Sequence, residues 1–304
     1  MELHFLGTGA GMPSKERNTT AIVLKLLDEI GELWLFDCGE ATQHQILHTH
    51  LKPRKITKIF ITHMHGDHIF GLPGLLSSRS FQSGEETLTI YGPKGIAQFV
   101  EMALTLSQTH VTYPISYVEV TDGVIYEDEQ FIVEVASLAH VIPCYGYRVT
   151  QKPLPGALQI DKALALGVPK GPLLGRLKNG ESVQVGERTI TSKDVVGEPK
   201  LGAIVTILGD TSYTDNAINL AKDATVLVHE ATFLHDLQPH ARKFGHATAQ
   251  EAAQVAQQAG VDQLILTHIS SRYLAHEMPL LKAEASAVFP QVTIAHDQLV
   301  YPIK

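Results

Sequence analysis

The sequence predicts an α/β fold in which two sheets pack face to face, with helices on their outer sides. Two observations point there. Short apolar strands alternate with helices in both halves of the chain, and several of those strands run directly into histidine and aspartate residues.

In the first half, residues 3–6 read as a strand that ends in the turn Gly7-Thr8-Gly9-Ala10-Gly11. Strands are expected next at residues 20–27 and 33–36, the latter stopping at Asp37-Cys38-Gly39-Glu40. A helix over residues 41–51 leads to the strand 56–62, and helices fit residues 72–81 and 94–106. Further strands fit residues 88–91, 117–120, 131–138 and 145–149. The second half places strands at 203–208, 225–228, 263–266 and 292–295, with helices near 217–222, 248–259 and 280–288 between them. Thr248 and Glu251 have the spacing of a capping box at the start of one of these helices. Residues 150–199 break the rhythm: nine prolines and glycines interrupt every long element between Pro153 and Gly180. That stretch reads as a flexible excursion from the compact domain.

Composition narrows the function. Charged residues make up 18% and hydrophobic residues 44%, the balance of a globular protein with a core. No stretch approaches the roughly 20 apolar residues of a membrane span, and the start Met1-Glu2-Leu3-His4-Phe5 lacks the pattern of a signal peptide. Cys38 and Cys144 form no disulfide framework, and Cys38 reads as a small buried residue. These features predict a cytoplasmic protein. The net charge of −8 argues against an indiscriminate nucleic-acid binder. Residues 151–180 nevertheless set Lys152, Lys162, Lys170, Arg176 and Lys178 against Asp161, which suits a polyanion docked at one place. Smaller basic groups lie at Lys15/Arg17 and Lys52-Pro53-Arg54-Lys55.

The chemistry centres on His63-Met64-His65-Gly66-Asp67-His68, which follows the apolar run Lys58-Ile59-Phe60-Ile61-Thr62. Residues two apart in extended backbone share a side, so His63 and His65 converge. Gly66 is expected to let the chain turn so that Asp67 and His68 meet at a second point. Imidazoles with a carboxylate suit Zn²⁺ and, less tightly, Mn²⁺ or Fe²⁺. His140, Asp210 and His268 each follow another strand and complete the donor set. His63, His65 and His140 would hold one ion, Asp67, His68 and His268 the other, with Asp210 available as a bridge. Such an ion pair lowers the pKa of water and clamps phosphodiester oxygens, and Asp67 is placed both to ligate and to accept a proton. His44, His48 and His50 lack a carboxylate partner and read as surface or core-edge residues; Trp34 and Phe36 alternate within a strand and read as packing. His229 reads as a hydrogen-bonding residue without direct metal contact.

With these residues the chain resembles the metallo-β-lactamase superfamily, and within it the ribonuclease Z family of tRNA 3′-processing endonucleases in its short form. Further stretches carry the resemblance. Phe5-Leu6-Gly7-Thr8-Gly9 is similar to the family's opening turn, and Pro13-Ser14-Lys15-Glu16-Arg17-Asn18 to its PxKxRN loop. His229-Glu230-Ala231-Thr232 is similar to its HEAT motif, and Gly171-Pro172, with Gly175, Leu177-Lys178 and Gly180, to the GP motif of its arm. His268-Ile269-Ser270-Ser271-Arg272-Tyr273 resembles its last motif, with Ser271 departing from the family's alanine. The resemblance implies a single αββα four-layer sandwich over residues 1–304, with an inserted, protruding tRNA-binding arm at about 150–199. It also implies two Zn²⁺ per subunit, with Mn²⁺ or another divalent ion as the alternative, and a homodimer acting on precursor tRNA with no membrane involved. The products implied are a tRNA with a 3′-hydroxyl and a trailer with a 5′-phosphate. Asp67 is then the proton acceptor, His246 the group that protonates or stabilises the leaving 3′ oxygen, and Glu230 its orienting partner. Lys15, Arg17, Asn18, Gly171, Pro172, Lys178, Ser270 and Arg272 become candidates for substrate contact. Two other functions compete: a phosphodiesterase for small esters or cyclic nucleotides, which would not need a basic arm, and a non-catalytic RNA-binding protein, which would not need all seven donors.

Overall fold

A computed structural model describes residues 1–303 and divides them into two compact units. The larger comprises residues 1–126, 133–149 and 204–303. One seven-stranded sheet has the spatial order Val300–Pro302, Glu2–Gly7, Ala21–Leu26, Glu32–Phe36, Ile56–Phe60, Leu88–Gly92, Ile115–Glu119. Its first neighbours pair antiparallel and its last three pairings are parallel. The second seven-stranded sheet runs Val292–Ile294, Gln263–Thr267, Val226–Glu230, Ile204–Leu208, Tyr145–Gln151, Phe131–Ser137, Gly123–Glu127. Its first four strands are mutually parallel.

Alternation along the strands sorts side chains between two environments. Leu33, Leu35, Ile59 and Ile61 face outward, where Leu72, Leu75 and Leu76 of the helix Leu72–Phe81 and Val100 of the helix Ile96–Leu106 cover them. Trp34, Phe36 and Phe60 face inward toward the second sheet. There Phe60 stacks on Phe36 and on Tyr91 with ring centroids 4.9 Å apart, and Tyr147 reaches across to donate its hydroxyl to the Ile61 carbonyl at 2.6 Å. The outer face of the second sheet is closed by the helix Ala249–Ala259, whose Ala252, Ala253, Val255 and Ala256 pack with Leu227, Leu264 and Leu266. Small alanine side chains let this helix lie close to the sheet. Thr248 and Glu251 form its capping box, as their spacing indicates. The layers are therefore helix, sheet, sheet, helix, the αββα order the sequence implies.

The second unit comprises Glu127–Ile132 with Thr150–Ala203 and has elements of its own, where the sequence shows no clear core pattern. It contains the helices Ile160–Ala165 and Pro172–Lys178, the hairpin Val183–Val185/Arg188–Ile190 and the short helix Ser192–Val195, which Thr191 and Asp194 cap. Ala163, Val168, Leu177, Val183, Ile190 and Val195 form its own buried core. The pattern escapes a sequence reading because no element exceeds seven residues, too few to display a period. The basic excess is also partly matched inside the unit. Lys152 lies 2.6 Å from Glu127 and Arg176 lies 2.7 Å from Glu181, while Lys170 and Lys178 are exposed.

The inward aromatic layer supports the strand that ends at His63. Phe60→Ala should therefore lower the unfolding free energy by about 3–5 kcal/mol, the usual cost of emptying a buried phenylalanine site. Urea unfolding followed by tryptophan fluorescence checks this; a loss below about 1 kcal/mol would show that the layer is not a packed core.

Candidate metal centre and active site

The donors sit at the C-terminal ends of strands, where loops from neighbouring strands in an α/β sheet converge. Ile56–Phe60 leads to His63 and His65, Phe131–Ser137 to His140, Ile204–Leu208 to Asp210, and Gln263–Thr267 to His268. Asp67 and His68 come from the short helix Gly66–Ile69. Gly66 opens that helix without a positive φ, and the chain turns there by helical geometry, which brings Asp67 and His68 to the second point.

All seven donors come together, in two sets. His63, His65, His140 and Asp210 form one, and Asp67, His68 and His268 the other. His65 Nδ1 lies 3.1 Å from His63 Nε2 and 3.2 Å from His140 Nε2. His268 Nε2 lies 3.3 Å from both His68 Nε2 and Asp67 Oδ2. Ligand atoms about 2.0–2.1 Å from a tetrahedral ion stand about 3.3–3.4 Å apart, so these separations are those of a coordination shell. Asp210 lies between the sets: its carboxylate is 3.6 Å from His63, 3.6 Å from His68 and 3.4 Å from His268.

The outer nitrogens explain how the inner ones are aimed. His68 Nδ1 donates to Asp37 Oδ2 at 2.7 Å, and His140 Nδ1 donates to the Gly245 carbonyl at 2.7 Å. The Thr62 hydroxyl donates to Asp37, which leaves its oxygen to accept from His63 Nδ1 at 2.9 Å. The Thr232 hydroxyl donates to Glu230 at 2.6 Å and accepts from His268 Nδ1 at 3.0 Å. Each bond fixes a tautomer whose Nε2 lone pair points into the centre, the arrangement of metal-binding histidines. Imidazole and carboxylate donors of this kind, buried and so oriented, fit a divalent metal.

Burial works against the Asp67 and Asp210 carboxylates, yet hydrogen bonds and charge from the surrounding histidines hold both below the ordinary aspartate range. Burial, with His68 next to it, pushes His63 down to about 2, so it remains neutral and able to ligate. Burial also opposes charge on His68, but Asp210 and Asp37 overcome it and raise its pKa.

His246 lies beside the donors and shares with Asp210 and His268 a third cluster that could hold a metal, but it has a partner of its own. Its Nδ1 is 3.8 Å from Asp210 but 2.9 Å from Glu230 Oε1, and the shorter contact defines its partner. Burial opposes its charge, but Glu230 outweighs burial, Asp210 and Asp67 act in the same direction, and its pKa rises to about 9. Glu230 is itself fixed on both oxygens by Thr211 N, Thr232 N and the Thr232 hydroxyl. Gly245 makes the adjoining corner with φ +75°, and a Cβ there would lie 2.7 Å from His140 Nδ1. His229 points away: it is buried, its Nδ1 donates to the Glu230 carbonyl, and it contributes to neither donor set.

Of the residues expected to meet substrate, Lys15 is exposed, and Arg17 and Asn18 are not available. Arg17 is 8% exposed, and its guanidinium is spent on Thr8 Oγ1, the Ala295 carbonyl and Met278 Sδ. Asn18 donates its side-chain amide to the Glu40 carbonyl and its backbone N–H to Asp297. Both anchor the loop instead of presenting it, which corrects the sequence reading. Ser270 accepts from the exposed Arg272, whose guanidinium lies over the Phe233 ring. Gly171, Pro172 and Lys178 are exposed residues of the second unit. Sequence reasoning missed Asp37, Thr62, Thr211 and Thr232, and also the Gly11 N–H, which donates to Asp67 Oδ2 at 2.8 Å. Asp37 had one signal, its place directly after a strand.

Comparison with known proteins places these features. The chain is 55% identical to a protein named Ribonuclease Z from Bacillus mycoides (strain KBAB4), over all of both chains. Its structure is similar to the crystal structure of the short form of human tRNase Z, with a TM-score of 0.73, 32% identity and full coverage of both chains. It shares its fold with the metallo-β-lactamase fold protein YhfI from Bacillus subtilis, at a TM-score of 0.69, 22% identity and 99% and 98% coverage. A family model described as anti-Pycsar protein Apyc1 matches residues 1–141, and one described as a β-lactamase superfamily domain matches residues 195–269. Full-length identity of this order, on a metallo-β-lactamase fold with its donors gathered at the strand ends, means that the chain belongs to the ribonuclease Z family.

Proposed function

We propose that the protein is a zinc-dependent endoribonuclease that removes the 3′ trailer from precursor tRNA, leaving a 3′-hydroxyl on the tRNA and a 5′-phosphate on the trailer. The observation that carries this is a seven-residue donor set with a further histidine beside it, His246, whose Nδ1 is engaged by Glu230 at 2.9 Å. Relatives named ribonuclease Z and tRNase Z supply the substrate.

His63, His65 and His140 would hold one Zn²⁺, Asp67, His68 and His268 the second, and Asp210 would lie between them. Bound there, the two ions supply Lewis-acid stabilisation of phosphodiester oxygens and activation of water. Asp67 accepts the proton of the attacking water, and the Gly11 N–H holds the Asp67 carboxylate in place. His246, with Nδ1 engaged by Glu230, turns Nε2 toward the leaving 3′ oxygen and donates its proton as the P–O3′ bond breaks. Lys15, Ser270 and Arg272 serve the substrate near the centre, and the second unit, with Gly171, Pro172 and Lys178, docks the tRNA body. The same reading makes the enzyme a cytoplasmic homodimer.

Asp67→Ala should leave the fold intact and lower precursor tRNA cleavage by at least a hundredfold. Gel analysis of end-labelled precursor checks this alongside metal content; near-normal turnover in metal-loaded protein would refute the role.

His246→Ala should retain its metal and bind precursor tRNA normally, with kcat falling more than KM rises, because a leaving-group acid acts in the transition state. Glu230→Gln should show the same split in milder form. If metal content falls instead, His246 belongs to the coordination shell.

Replacing residues 155–182 with a short Gly/Ser linker should weaken precursor tRNA binding and flatten its salt dependence. Hydrolysis of a small chromogenic phosphodiester should survive, since every donor lies outside that stretch. Loss of both activities would make the unit part of the catalytic fold, and unchanged tRNA processing would remove it as the docking element.

A further inference from the structure

We infer that His240 and Phe244 form a stacking platform for the last nucleotide retained on the RNA, the one whose 3′ oxygen leaves. The inference rests on the role of His246 proposed above. A run of rings leads away from that residue. The Phe233 centroid lies 6.1 Å from the His246 ring, His240 lies 5.2 Å from Phe233 at an interplanar angle of 89°, and Phe244 lies 4.8 Å from His240. Exposure rises along it: Phe233 is 5% exposed, whereas His240 is exposed and Phe244 is 46% exposed. A half-exposed phenylalanine beside a reaction centre offers a π-face to a base at the cost of leaving apolar area in water.

Cations flank the rings. The Arg272 guanidinium lies 4.7 Å from the Phe233 centroid, and Lys243 Nζ lies 5.6 Å from that of Phe244. Arg242, on the same short helix Gln238–Lys243, has Glu251 at 3.6 Å as a partial counter-charge. No acidic residue occurs between Gln238 and Ala249 in the sequence. Exposed rings interleaved with cations are the chemistry of single-stranded nucleic acid: every base has a π-face and every linkage a phosphate. A small ester has no base to lay on His240 or Phe244. The polarity follows from the bond that breaks. His246 protonates O3′, so the sugar and base beside it belong to the retained strand and not to the trailer.

Phe233 is the floor of this surface and not a stacking partner, because it is buried under Arg272. The backbone also ties the platform to the centre, since the residue after Phe244 is Gly245, whose carbonyl accepts from His140.

The test compares precursor tRNA with the same precursor made abasic at the last retained nucleotide, using metal-loaded full-length enzyme. Phe244→Ala, and His240→Ala with it, should lower kcat/KM on intact precursor by roughly 5- to 150-fold, the range for removing one base–aromatic stack. The same variants should lose almost nothing further on abasic precursor, and a small chromogenic phosphodiester should be hydrolysed at the wild-type rate. Phe244→Leu, which keeps apolar bulk and lacks the aromatic face, should reproduce the base-dependent loss and reports even if the alanine variants fold poorly. An equal loss on intact and abasic precursor, or no loss, would overturn the platform. A base-dependent loss only when the abasic position is the first trailer nucleotide would overturn the retained-strand assignment. Failure of the wild-type enzyme to cut precursor tRNA would instead bring down the proposed function on which this rests.

Discussion

Everything in the catalytic half of this molecule depends on keeping several imidazoles and two carboxylates, most of them buried, aimed at one small volume. Such groups are costly to desolvate unless they are paired, hydrogen-bonded or bound to a cation. The chain meets this demand with a surrounding layer of acceptors. Asp37 binds His68 and Thr62, Glu230 binds His246, Thr211 and Thr232, and the Gly245 carbonyl binds His140. Asp37 and Glu230, buried carboxylates outside the donor set, thus hold several loops of the site in register.

The same demand shows in the backbone. Asp37 and His268 both lie in the left-handed region, with φ of 57° and 54°, where residues other than glycine are uncommon. Asp37 gains two bonds to Thr62 by this conformation, and His268 turns its ring into the centre as soon as its strand ends. A small parallel pairing of Gly9–Ala10 with Ile269–Ser270 joins loops that follow strands of different sheets. It carries the Gly11 N–H to Asp67 from one side and His268 from the other.

The layers, most strands and all seven donors could be read from the residues, because strand alternation and closely spaced histidines are strong local signals. The supporting layer could not. Asp37, Thr62, Thr211 and Thr232 are ordinary residues whose importance arises from partners distant in the chain. Arg17 misled in the opposite sense: a cation in a loop suggests a phosphate partner, but its guanidinium reaches the Ala295 carbonyl, 278 residues away, and nothing nearby in the sequence signals that burial. The core of the second unit was hidden for a further reason, since its six residues are spread over elements too short to show periodicity.

His246 illustrates how one contact separates two chemistries. It stands near Asp210 and His268, close enough to be mistaken for another donor, yet Glu230 engages its Nδ1 and raises its pKa. On the proposed mechanism the centre divides into residues that would hold a cation and one residue that would hold a proton. The most direct test of that division is anomalous diffraction at the zinc edge from crystals of the zinc-loaded protein. Two peaks about 3.5–4 Å apart, flanking Asp210 with His246 coordinated to neither, are the result predicted. A single peak, or a peak bonded to His246, would contradict it.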